Sequence, residues 1–409
     1  MASYLYVSDN RSLHECAEVL SGVRCFGLDT ESDSFYSYRE RVCLVQITPE
    51  GHGDYIIDPL VEDLDMDILS PIFANPDIEA IMHGADYDIV SLKRDFGYEF
   101  ASIFDTMLAA QMSGFERFGL ADLVKGHYDV VLDKRYQRFD WGKRPLPKEA
   151  LDYAHLDSHF LPELRDILWK RAAETGRQSA LEEEFELLQG REWNGRANDP
   201  AAYLRIKGAG SLDEPNQRVL RALVEAREKM AEGLDRPPFK VLPQSFLLDL
   251  ARNPTTDPVR IRRIAGRHAR MAQRFSRRLI AAVREGREDT GPLPVKAPSR
   301  HGPRLWPNEE RRFNQLKEWR NRRAEEQDLQ PALVMPNSVL KALAQAAPRS
   351  FVDLAEVEEL RRWQRDEYGR ELVEVIAHIL EREQKQEDQA PDNEGSRRGR
   401  RRRGRKKKE

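Results

Sequence analysis

Apolar residues in the first part of the chain fall into short runs of strand length. Val23 to Leu28 predicts a buried strand over 23–28, and similar runs predict strands over 42–48, 53–57 and 78–82. Three- and four-residue spacing predicts helices over 65–74 and 86–95, then a further strand and helices to about 175, including a long helical pattern over 147–173. Three strands followed by alternating helices predict a mixed-sheet α/β domain. Over 212–288 and 306–384 apolar residues recur at helical spacing.

This pattern gives meaning to a set of acidic residues. Period-2 alternation places Asp29 and Glu31 on the same side at the end of the first strand. Asp88 follows the strand 78–82 and opens the amphipathic run Ile89-Val90-Ser91-Leu92. Tyr153 and Asp157 are four residues apart in the long helical pattern, so they share one face. Side chains from two strand ends and two helices can therefore converge. Carboxylates so grouped can hold two divalent ions roughly 3.5 to 4 Å apart and support in-line attack of water on a phosphodiester. A tyrosine hydroxyl beside the attacking water can orient it. Taken singly, each piece reads as solvated surface, because Asp and Glu are seldom buried unless paired; their order and context point to a site.

Phe26-Gly27-Leu28-Asp29-Thr30-Glu31, His83-Gly84-Ala85-Asp86-Tyr87-Asp88 and Tyr153-Ala154-His155-Leu156-Asp157 together resemble the three exonuclease motifs of the DEDD superfamily, in its tyrosine branch. Phe104-Asp105-Thr106-Met107-Leu108-Ala109-Ala110 and the stretch Leu132 to Gln137, with Asp140-Trp141 and Arg144-Pro145-Leu146, are similar to ribonuclease D. The resemblance spans residues 5–175. It implies a ribonuclease H-like α/β exonuclease domain with Asp29, Glu31, Asp88 and Asp157 as metal ligands, Tyr153 as the water-orienting residue, and two divalent cations, Mg or Mn, as cofactors. Asp105 is read as a support where its strand meets the next helix, Asp86 as an N-cap of the helix holding Asp88, and His83 as a residue that helps position the site. Thr30, Gln137, Trp141 and Arg144 are candidate substrate contacts. For the aromatic and basic residues of that stretch, packing beneath the helix of Tyr153 is the equal alternative.

An internal repeat organises the helical part. Leu242-Pro243-Gln244-Ser245-Phe246-Leu247 aligns with Met335-Pro336-Asn337-Ser338-Val339-Leu340 at a constant offset of 93, and the register extends upstream through Leu220 and Phe313, Leu223 and Leu316, and Arg227 and Arg320. The two copies resemble HRDC domains, small all-α helical bundles that serve as nucleic-acid or protein adaptors. The expected organisation is an exonuclease domain over 1–190, a first HRDC domain over 212–288, a linker over 289–305 rich in Gly-Pro and Pro pairs, a second HRDC domain over 306–384, and a disordered tail over 385–409.

Charge separates the same regions. Residues 1–190 hold 18 Lys and Arg against 36 Asp and Glu, a net of −18, whereas the remainder holds 48 against 34, a net of +14. The tail is polybasic from 397, with ten positive charges between Arg397 and Lys408 and no apolar residue. Arg260, Arg262, Arg263, Arg267, Arg270, Arg274, Arg277 and Arg278 form the candidate phosphate face of the first HRDC copy, several of them at a spacing that suits one helical side. The first 30 residues lack a basic segment followed by an apolar core, and no apolar run reaches membrane-spanning length, so a cytoplasmic protein is expected, with no membrane partner. Cys16, Cys25 and Cys43 are odd in number and lack C-x-x-C spacing, which predicts free or buried thiols.

The expectation is a metal-dependent 3′-5′ exoribonuclease that releases 5′-monophosphates from RNA, with tRNA precursors as the substrate the resemblance implies and a monomer as the expected state. A 3′-5′ DNA exonuclease and a non-catalytic nucleic-acid adaptor are the alternatives.

Overall fold

A computed structural model describes residues 4–193, 200–294 and 305–388. Residues 389–409 of the expected tail and 295–304 of the expected linker lie outside the described residues, whereas 385–388, expected in the disordered tail, end the helix Arg362–Asp388. Two compact units are present, Met1–Ser299 and Arg300–Glu409.

Six strands form one mixed sheet in the order β1-β4-β3-β2-β5-β6. They are β1 (Tyr4–Val7), β2 (Cys25–Ser32), β3 (Val42–Pro49), β4 (Asp54–Ile57), β5 (Glu79–Met82) and β6 (Ile103–Asp105). β3 runs antiparallel to both β2 and β4, and the remaining pairs are parallel. All eight residues of β3 are buried, which accounts for its nearly continuous apolar run. β5 pairs with β2 only at Cys25, Phe26 and Gly27. Beyond that point Asp29 to Glu31 extend past the end of β5, and space opens beside them for the helix that follows it.

The helices of this part are α1 (Asn10–Ser21), α2 (Ser70–Phe73), α3 (Asp86–Phe96), α4 (Thr106–Met112), α5 (Leu120–Tyr128), α6 (Lys148–His159), α7 (Leu161–Glu174) and α8 (Gln178–Gln189). β1 and α1 were not among the predicted elements: a four-residue strand carries too little periodicity to register, whereas α1 buries Leu13, Cys16 and Leu20 at helical spacing and was missed. The expected helix 65–74 is instead a 3₁₀ turn, Met66–Leu69, followed by the short α2. Pro71 has no N–H to continue the ladder across that junction. Cys16, Cys25 and Cys43 are buried and unpaired. No helix among the described residues is long and apolar enough to cross a membrane.

The helical part of the first unit comprises α9 (Glu214–Glu232), α10 (Pro238–Val241), α11 (Gln244–Arg252), α12 (Pro258–Ala265), α13 (Ala269–Arg274) and α14 (Ser276–Glu288), packed around a core that includes Leu220, Leu223, Leu247, Leu250 and Leu279. The eight arginines are exposed, but they do not share one helical side. α12 ends at Gly266, whose φ of +51° turns the chain, and the arginines are distributed over α12, α13, α14 and the turn between. The second unit contains α15 (Pro307–Glu326), α16 (Pro331–Val334), α17 (Asn337–Ala346), α18 (Phe351–Ala355) and α19 (Arg362–Asp388). α9, α10 and α11 begin at the same 93-residue offset from α15, α16 and α17. Arg227 and Arg320, which correspond in that register, are both buried.

The loop between β2 and β3 rests on the first helical bundle. The Tyr38 backbone N–H donates to Asp235 Oδ1 at 3.0 Å, Arg39 pairs with Glu232, and Lys240 Nζ lies 3.8 Å from the centre of the Tyr36 ring. Tyr36 donates to the Arg138 carbonyl, which links this loop to the stretch preceding α6.

The predicted helix 147–173 is broken at Phe160 into α6 and α7. Pro162 cannot donate to the Ser158 carbonyl, so the helix turns a corner there. β2 runs directly against that corner. A Cβ at Gly27 would lie 2.4 Å from the Ser158 carbonyl oxygen and 3.1 Å from Leu161 Cβ. Only glycine permits this approach, and the approach brings Asp29 towards Asp157. Gly27→Ala is therefore expected to destabilise the protein by about 1–3 kcal/mol through forced displacement of α6, measured as a lower urea midpoint; an unchanged midpoint would show that the corner yields freely.

Candidate active site

Asp29 and Glu31 project from the same face of β2 and meet Asp157 of α6. Their carboxylate oxygens and that of Asp157 all lie within 4.8 Å of one another. Thr30, between them, points the opposite way, and its hydroxyl donates to Asp88 in the first turn of α3. Asp88 thus stands beside the trio, close enough for its charge to act on Asp29 and Asp157. Among the described residues no Lys or Arg pairs with any of the four.

That uncompensated charge shows in the protonation equilibria. Burial, and then the charges of Asp88, Asp157 and Glu31, hold the Asp29 carboxyl well above its ordinary range. Glu31 is raised for the same reasons, burial first and then Asp157 and Asp88. Burial lifts Asp88 to about 6 against the opposing Thr30 hydrogen bond, and lifts Asp157 to about 7 against that of Tyr153. Such a group relaxes towards its ionised form when a cation is supplied. The donors are hard oxygens, as Mg²⁺ and Mn²⁺ prefer. The residues therefore fit divalent cations.

Tyr153 is placed by aromatic packing. Its ring stacks on Trp141 at 6.2 Å between centroids and tilts against Tyr136, while its hydroxyl bonds to Asp157. Burial and the neighbouring carboxylates raise its pKa, so it remains a neutral phenol. His83 contacts the Thr106 hydroxyl, which itself donates to the Met82 carbonyl. Thr106 has no second proton to give, so His83 must donate from Nδ1 and keep Nε2 as an acceptor. Burial lowers the His83 pKa, consistent with that neutral tautomer.

Asp29, Glu31, His83, Tyr153 and Asp157 line a cleft of about 370 Å³, together with Thr30, Leu132, Lys134 and Gln137, and Asp88 lies outside that lining. Gln137 thus lies where a substrate contact was expected. Thr30 reaches the cleft too, with its hydroxyl committed to Asp88. Trp141 and Arg144 have other roles. Trp141 is buried beneath Tyr153, and the Arg144 guanidinium is consumed by Asp58 and by the Trp141, Lys143 and Cys43 carbonyls. Packing, the alternative for this stretch, describes both. Asp86 is likewise no cap: it opens α3, exposed, and pairs with Arg191. Asp105 accepts from the Gly84, Ala85, Met107 and Leu108 amides, and so fixes the turn that delivers Asp88. Sequence reasoning missed Lys134, the one cation among the described residues lining the cleft. Its neighbours Asp133 and Arg135 pair with each other, a loop arrangement that leaves no periodic signal.

Residues 4–173 match the family model described as 3′-5′ exonuclease, and residues 216–283 and 309–376 match the HRDC domain. The chain is a DEDD 3′-5′ exonuclease domain followed by HRDC domains. A Caenorhabditis elegans exosome complex component 10 homolog is 32% identical over 248 residues, which are 60% of this chain and 28% of that protein. The chain therefore spans under a third of that relative's length. The catalytic core of RRP6 from Trypanosoma brucei superposes with a TM-score of 0.63 at 27% identity, covering 70% of this chain and 80% of that one. Escherichia coli RNase D shares the fold, with a TM-score of 0.69 at 22% identity over 93% of this chain and 99% of its own.

The exonuclease helix α6 is anchored on its other side. His155 and His159, one turn apart and facing away from Tyr153 and Asp157, both bond through Nδ1 to Asp54 on β4, at 2.8 and 3.0 Å. Burial alone would raise the Asp54 pKa; the hydrogen bonds from His155, His159 and Thr48 outweigh it and hold the carboxyl at about 2. A carboxyl depressed by folding stabilises the protein above its unfolded pKa and loses that contribution as pH falls through the folded value. Wild type should therefore exceed Asp54→Asn by about 2 kcal/mol near neutral pH, and the gap should close between pH 4 and 2 in urea unfolding. A gap independent of pH would remove the ionised staple.

Proposed function

We propose that the protein is a metal-dependent 3′-5′ exoribonuclease that removes single nucleotides as 5′-monophosphates, acting on tRNA precursors and other structured RNAs. The observation that carries the reading is the convergence of Asp29, Glu31 and Asp157, with Asp88 beside them, into a cluster that no Lys or Arg among the described residues pairs with, next to a neutral tyrosine. Asp29, Glu31, Asp88 and Asp157 would hold two divalent cations, Mg or Mn. With them bound, the site gains the positive charge that activates water and stabilises a leaving 3′ oxygen.

The remaining work falls to the chain itself. Tyr153, kept protonated, holds the attacking water by its hydroxyl and does not act as the base. Lys134 faces a phosphate from the cleft wall, and Gln137 offers both donor and acceptor to the terminal nucleotide. RNA is favoured over DNA by the ribonuclease D resemblance of residues 132–146, and the exposed arginines of α12 to α14 supply a sequence-independent attraction for phosphates.

Digestion of matched 5′-labelled RNA and DNA, with Mg²⁺ or Mn²⁺ and with chelator, tests the reading. RNA should shorten stepwise from its 3′ end only with metal, and Asp29→Ala or Asp157→Ala should slow it by about a hundredfold or more. Equal degradation by the variants would remove the site, preference for DNA would select the DNA exonuclease, and no degradation of either polymer by wild type would select the adaptor. Tyr153→Phe separates orientation from binding. Turnover should fall about a hundredfold while stabilisation by Mg²⁺ in thermal melts is retained; unchanged turnover would reduce Tyr153 to packing.

A further inference from the structure

Gln46 occupies the middle of β3, between Val45 and Ile47, and is fully buried. Neither its Nε2 nor its Oε1 has a hydrogen-bond partner among the described residues. An orphaned carboxamide in a strand interior is a feature that natural cores seldom retain, and an apolar residue would satisfy the strand pattern at this position.

Its location supplies a reason. In the antiparallel ladder Gln46 lies directly opposite Asp29, so the two side chains share one face of the sheet. Two residues on, Thr48 shares that face, and its hydroxyl contacts Ser158 of α6 at 2.9 Å. The face is therefore the one that α6 covers. Gln46 sits between the Thr48 to Ser158 contact and the cluster formed by Asp29, Glu31 and Asp157.

We propose that Gln46 is a positioning residue for the carboxylate cluster, its amide N–H donating to Asp29 and its Oε1 accepting from water when divalent cations are held there. The inference rests on the metal-dependent reading of the site. A carboxylate that holds a cation through one oxygen needs a donor on the other to fix its orientation, and such supporting donors govern metal affinity strongly. A lysine or arginine could donate too, but its charge would cancel part of the field that attracts the cations. An amide donates without charge. That distinction explains why a neutral polar residue stands where the strand pattern calls for an apolar one.

The test uses the full-length chain with Gln46→Leu and Gln46→Met, which keep the volume and remove the amide. Melted in chelator, both variants should unfold a few degrees higher than wild type, because a buried unsatisfied group has been removed. Titrated with Mn²⁺ by calorimetry, they should bind about 10- to 100-fold more weakly, and kcat on a short RNA should fall with little change in KM. A residue that merely fills the core would not move metal affinity. Variants that bind Mn²⁺ as tightly as wild type would overturn the role of Gln46 and leave the metal-dependent reading intact. Wild type that binds no Mn²⁺ would overturn that reading itself, and the inference with it.

Discussion

Asp29, Glu31 and Asp157 present oxygens within 4.8 Å of one another, and at an effective dielectric near 20 each ionised pair repels by on the order of 3 kcal/mol. Nothing within the trio opposes that force, so its geometry depends on how firmly each acid's own element is held from elsewhere. β2 is held between β3 and β5 in the middle of the sheet. α6 is drawn to β4 by the two histidines on Asp54 and meets β2 at Gly27. α3 is delivered by a turn whose amides are gathered by Asp105. Three separate anchors, none using the acids themselves, converge on one small volume.

Much of this was legible in the chain because it follows local rules. The alternation of Asp29 and Glu31, and the four-residue step from Tyr153 to Asp157, state a shared face without reference to the rest of the fold. What was not legible depends on partners distant in sequence. Whether Trp141 and Arg144 meet substrate or core turns on Tyr153 and Asp58, and neither contact has a periodic signature. Gln46 was hidden by its setting, one polar residue in an apolar run. Pro162 is a different case: its missing N–H breaks the helix, yet apolar spacing continues across the break because α6 and α7 both pack on the sheet, so periodicity reads the two as one.

The helical repeat divides in the same way. The 93-residue register reproduces three consecutive helix starts, since Pro238 and Pro331 both open a short turn and Pro243 and Pro336 both precede the next helix. After that the copies separate. The first continues through three further helices broken at Gly266, and the second through a five-residue helix and the 27-residue α19. The exposed arginines belong to the divergent portion of the first copy, which makes its basic surface a property of that copy and not of the repeat.

The treatment of buried acids elsewhere in the domain shows what is special about the cleft. Asp54 is met by two histidines and a threonine, Asp58 by Arg144 and Tyr6, Asp33 by Arg41 and Ser37, and Asp105 by four backbone amides. The chain thus has several ways of satisfying a buried carboxylate, and it uses one at each of these positions. At Glu31 it withholds them, and Asp29 and Asp157 keep only the Thr30 backbone amide and the Tyr153 hydroxyl. Incidental crowding of acids would be relieved by the means used elsewhere in the domain, yet Lys134, the lysine that lines the cleft, pairs with none of the three. A cluster held together against its own repulsion and left open on the side of the cleft has the charge of a cation site, and the stability lost to that repulsion is recovered when a proton or a cation enters.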